Sequence, residues 1–133
     1  MADLTISTIK RVSGNVTTGD AGEALAAGDA VYVNSTGNTH DKADATSTTT
    51  AAAIGVQLLP TDSGAKSTVA ANGSVIDVGA ILTAGTIYCV SATSGKIAPQ
   101  ADLTTGNVLT ILGVAETTSQ LRIAINATGV TLS

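Results

Sequence analysis

"LTAGTIYCVSATSGKIAP", residues 82–99, restates "LAAGDAVYVNSTGNTHDK", residues 25–42. Each runs from Leu through a small pair to Gly, then into a β-branched and aromatic run, then to Ser/Thr and Gly. Such a run between turn residues is a strand signal. The echo extends outward. Gly37 and Gly95 stand 58 residues apart, as do Ala43-Asp44-Ala45 and Ala101-Asp102-Leu103, and Ile54-Gly55-Val56 and Leu112-Gly113-Val114. Gly28 and Gly85 stand 57 apart. "VIDV" at 75–78 falls near the counterpart of "LRIAI" at 121–125.

Repeated structural words mean a repeated supersecondary unit that cannot bury its face alone. What recurs is turn glycines and strand aliphatics, so the repetition points to a shape and not to a duplicated site. Asp44/Asp102 is the only repeated ionisable position. The expected fold is all-β: two similar β units packed face to face or coiled into a small barrel. The expected units are 20–80 and 81–130, within one β domain spanning 20–133. Residues 1–19 precede it as an N-terminal arm or first strand. Helix content is expected to be low. Ala-rich "DAGEALAAGDA" (20–30) is interrupted by Gly22 and Gly28, and 44–53 and 101–106 have room for one turn each.

Composition narrows the class. The chain has 133 residues and is 44% hydrophobic, yet it has no Phe or Trp, and Tyr32 and Tyr88 are its only aromatics. Its core must be built from Val, Ile, Leu and Ala, at about 1.5–3 kcal/mol per buried large aliphatic. A thin core of this kind favours oligomerisation. The net charge is −4, and the six basic residues are scattered, with only Lys10 and Arg11 adjacent. That is no footprint for nucleic acid or for anionic lipid. No apolar run approaches the ~18 residues of a membrane span, and no export signal is read at the start. Cys89, the single cysteine, lies in the strand-like "TIYCV" and reads as a small buried hydrophobe.

Chemistry-bearing patterns are few. His40 is the only histidine, which excludes a histidine-cluster metal site, and "THDK" reads as a solvated turn. There is no Gly-x-Ser-x-Gly elbow and no phosphate-binding glycine loop. "LLPTDSGA" (58–65) contains Asp62-Ser63-Gly64-Ala65, the form of an aspartic-protease signature, and "ILG" at 111–113 resembles the element that supports that loop. Such an enzyme would need two copies to pair two Asp62 carboxylates. But Pro60 and Thr61 interrupt the strand that should deliver Asp62, and Asp-Ser-Gly is ordinary turn chemistry. No catalytic residue, cofactor or metal site is expected.

The stretches "AGEALAAGDAVYV", "IGVQ", "TAGTIYCVSATSGKIAP" and "ILGVAETT" resemble the small head-decoration, or capsid-cement, proteins of tailed bacteriophages. The resemblance runs from about residue 20 to residue 133. It implies a compact β-tulip or β-barrel body on the outer capsid surface of a virion, made in the host cytoplasm. It further implies a structural and not enzymatic role that bridges subunits of the major capsid protein, and a homo-oligomer, with a trimer favoured. No functional residue carries over, because the family has no site motif. The alternatives are a tail or fibre β module, or the small dimeric protease using Asp62.

The leading stretch "MADLTISTIKRV" lies outside the repeat. Its apolar residues and its basic pair make Leu4, Ile6, Ile9, Lys10 and Arg11 the candidate capsid-binding residues. The segment could add a strand to a capsid subunit or a neighbouring protomer. Residues 1–19 are expected to order against the capsid or a neighbouring subunit, the alternative being an ordinary first strand of the domain.

Overall fold

Short runs rich in Val, Ile, Ala and Thr, separated by glycine-containing turns, become eleven strands in the computed structural model, which describes residues 3–133. They are β1 (Lys10–Ser13), β2 (Val16–Ala21), β3 (Ala30–Asn34), β4 (Thr39–Lys42), β5 (Ala53–Gln57) and β6 (Lys66–Ala71). Then follow β7 (Val75–Asp77), β8 (Ile87–Val90), β9 (Ile97–Pro99), β10 (Val108–Ala115) and β11 (Gln120–Thr131). Among the described residues the helical content is one 3₁₀ turn, Gln100–Asp102. The protein is all-β, with a closed barrel and a second sheet.

The barrel runs β4-β3-β5-β6-β2 and closes on itself. The second sheet runs β9-β8-β10-β11-β7 and then adds β1 at its edge. The two five-strand orders correspond strand for strand. Main-chain hydrogen bonds correspond as well. Gly28 N donates to Gln57 O and Gly85 N to Ala115 O, both at 2.7 Å. Ala71 N donates to Asn15 O at 3.0 Å, and Ile123 N to Ser74 O at 2.7 Å.

The pairing differs from the sequence echo in three details. Val33 faces His40 and Val90 faces Ile97, so the hairpin turns match with Asn38 (φ 58°), not Gly37, in the place of Gly95 (φ 78°). Val75–Asp77 pairs with β11 as β2 pairs with β6, so "VIDV" is the counterpart of β2, while β6 is the counterpart of Leu121–Ile125. The boundary expected at residue 19 falls inside β2.

Alternation sorts the side chains. On β3, Val31 turns into the barrel with Ala21, Leu25 and Val69, while Ala30 turns out to the second sheet. There Ala30, Val56 and Ala70 meet Ile76, Val90, Ile97, Leu112, Leu121 and Ile123 in a shared aliphatic core. The β8–β9 turn locks onto the first unit at two residues: Gly95 O accepts from Ala30 N at 2.9 Å and Gly95 N donates to Ala43 O at 2.8 Å, while Ser91 O accepts from Ala45 N at 2.9 Å.

The units differ in how their last seam is sealed. In the barrel, β2 and β4 pair in parallel through Asp20 with Thr39 and Ala21 with His40. In the second unit the equivalent strands, β7 and β9, do not pair with each other.

Candidate functional site

Residues 3–13 run along that unsealed seam. Leu4 N donates to Ile97 O on β9 at 2.8 Å, and Ser91 Oγ donates to the Asp3 carboxylate at 2.5 Å. Six residues on, β1 pairs antiparallel with β7, Lys10 opposite Asp77 and Arg11 opposite Ile76, with a bulge at Val12. The segment is therefore a strap from one edge of the open sheet to the other. Ile97 occupies in the second unit the place that His40 holds in the barrel, where His40 pairs with β2. The strap thus takes at β9 the position that a sealing strand takes at β4.

The five candidate residues divide by side. Leu4, Ile6 and Ile9 are half-buried and pack on the shared core. Ile6 lies over Gly28, its Cγ2 2.8 Å from where a β-carbon would stand. These three side chains serve the protein's own interior. Lys10 and Arg11 face solvent on β1, followed by Val12, which is 47% exposed. Arg11 Nη1 donates to Gly14 O at 2.9 Å. The other side of β1 is a free sheet edge. The strap leaves a cleft of about 70 Å³ lined by Leu4, Ile6, Asp29 and Lys96. Burial raises the Asp29 carboxyl above its ordinary range, against its hydrogen bond from Ala26 N and the charges of Lys42 and Lys96. Met1 and Ala2, which open the stretch singled out from the sequence, lie outside the described residues.

His40 is not a solvated turn residue. "THDK" is β4, and His40 points into the barrel, 5% exposed, its ring over Gly19. Its Nδ1 lies 2.5 Å from Ser67 Oγ, a bond that staples β4 to β6 across β2. Burial lowers its pKa, and the carboxylates of Asp20 and Asp41 oppose that shift. A hydroxyl–imidazole pair has the parts of a nucleophile and its base. Ser67 is wholly buried, so no substrate atom reaches its hydroxyl while the barrel is closed. Gln57 shares that interior, donating from Nε2 to Leu59 O at 2.8 Å and Thr61 Oγ1 at 2.9 Å.

Asp62 is exposed in the β5–β6 connection, where its carbonyl accepts from Ala65 N at 3.0 Å to close a turn. Ile111–Gly113 belongs to β10 in the other sheet. Cys89 is buried on β8, and burial pushes its thiol up to about 11. Among the described residues no three His, Cys, Asp or Glu side chains gather as metal ligands, and no helix is long and apolar enough to cross a membrane. The strap and the free edge of β1 are thus the surface feature that the topology singles out. No protein-family model matches the chain, and no curated protein matches its sequence.

Proposed function

We propose that the protein is a structural component of a virion, decorating the outer surface of a phage capsid and bridging subunits of its major capsid protein. The observation that carries this reading is the build of the body. Two β units of one strand order are fused through a common aliphatic core, and the second keeps an open edge at β1. A bridging protein needs a stiff body and exposed pairing edges, and its weak contacts gain strength when many copies engage at once. Lys10 and Arg11 on the free edge discourage indiscriminate strand pairing and leave it to a partner edge of opposite charge. In this reading Lys10, Arg11 and Val12 meet the capsid, while Leu4, Ile6 and Ile9 hold the edge in place. The working unit is a homo-oligomer, with a trimer favoured by the resemblance and by the core without Phe or Trp.

The test is cryo-electron microscopy of virions made with and without this chain. Added density on the outer shell that accommodates the two-unit body supports the role; shells identical with and without the chain overturn it. Lys10→Gln with Arg11→Gln should lower occupancy on the shell while lowering the melting temperature by only a few degrees.

A further inference from the structure

We propose that residues 3–13 are an exchangeable strap: when copies of this chain crowd together, the segment leaves its own seam and fills the β7–β9 seam of a second copy. The inference goes beyond the capsid role and does not depend on it.

The barrel needs no strap, because β2 and β4 seal it directly. The second unit lacks that pairing, so its seam is a strand-accepting groove by construction. The occupant is defined by the chain itself, since residues 3–13 already lie there and bury Leu4, Ile6 and Ile9 in part. Their attachment is thin. Among the described residues, Leu4 N to Ile97 O is the single main-chain hydrogen bond of residues 3–9, and the β1–β7 ladder is short and bulged. Immediately beyond stands a hinge. Gly14 has φ 98°, a left-handed conformation that glycine leaves without steric cost. Past the hinge, β2 is fixed between β4 and β6 and cannot follow.

Exchange replaces each contact by its identical copy, so only the cost of association opposes it, and that cost falls as neighbours come close. The intrachain seat wins in dilute solution; a crowded array favours the exchanged one.

The test uses the contact between Asp3 and Ser91. Full-length Asp3→Cys and full-length Ser91→Cys are purified separately, mixed and oxidised. A disulfide yield above that of either variant oxidised alone reports the strap of one chain in the seam of another. The native Cys89 is buried with a raised thiol pKa and stays out of the reaction. The double variant Asp3→Cys/Ser91→Cys supplies the control, closing within one chain at low concentration. The expected result is a band at twice the chain mass from the mixture, its yield rising with protein concentration. The proposal fails if the double variant closes internally but the mixture gives no more double-mass band than either variant oxidised alone, at all concentrations. The unmutated chain gives a second reading if either variant misfolds. In a mixture of isotope-labelled and unlabelled protein, magnetisation transfer between Leu4 methyls of one population and Ile97 methyls of the other is expected at high concentration. Transfer confined to single chains at every concentration overturns the proposal.

Discussion

Gly55 and Gly113 hold one position in the two units, each pressed against the main chain of the strand beside it. A β-carbon on Gly55 would stand 2.2 Å from Ala70 O, and one on Gly113 would stand 1.8 Å from Arg122 O. Neither carbonyl can withdraw, because each belongs to a strand paired on both sides. Gly113→Ala and Gly55→Ala should each destabilise the fold by about 1–3 kcal/mol through overpacking. Thermal denaturation should show a melting temperature lowered by several degrees. Unchanged melting in both variants would mean that these strands can part without cost.

The His40–Ser67 staple makes stability depend on pH. Burial holds the folded His40 pKa below the ordinary 6.5, so the unfolded chain binds the proton first. The contribution is complete above about 6.5 and is lost as the pH falls from there through the folded value. Asp20 and Asp41, the carboxylates near the ring, soften the loss. Asp29 works in the opposite sense, at the lower pH where carboxylates titrate, because its raised pKa favours the folded state as protons are added. Urea denaturation at pH 8, 6 and 5 should show stability lower at pH 5 than at pH 8. In His40→Gln that fall should shrink, and an undiminished fall would assign the effect to other groups. Ser67→Ala removes the Nδ1 partner and should cost about 1–3 kcal/mol at pH 8.

Asp62→Asn should leave folding unchanged, and under the proposed role shell binding as well, because the carboxyl is exposed and the turn is closed by its backbone carbonyl. The measurements are a melting curve and a peptide-cleavage assay on both proteins. A cleavage activity present in the original and absent from the variant would replace the structural role with the protease.

Leu4→Pro deletes the N–H that reaches Ile97 O and should free the strap at its β9 end. Hydrogen exchange at β9 and in the β1–β7 ladder should quicken, while exchange in the barrel strands β3 and β5 stays slow. Equal acceleration in both units would show that the strap supports the whole body and not one seam.

The all-β class was legible because its signals are local. Leu121 and Ile123 are buried and Arg122 is exposed, as their alternation requires. What escaped was set by distant partners. Glycine spacing put Gly37 against Gly95, but asparagine also tolerates the left-handed conformation, and Asn38 takes that place. His40 stands in a polar stretch, and nothing beside it in sequence announces Ser67, which lies 27 residues on and turns a solvated turn into a buried pair. The same holds for the candidate site. Leu4, Ile6 and Ile9 were visible as an apolar pattern, yet whether they face a partner or their own core depends on a gap between β7 and β9. That gap exists only because β7 and β9, both more than seventy residues downstream of the strap's start, fail to meet.

The unsealed seam also bears on the order of events at the ribosome. The barrel has all its strands once Ala71 has emerged. The strap is synthesised before any of them, yet its anchor at Ser91 is 88 residues from Asp3. At about 5–20 residues per second, Leu4, Ile6 and Ile9 wait on the order of ten seconds for their cover. The strap therefore seats by closing a long loop over a barrel whose own strands are already made.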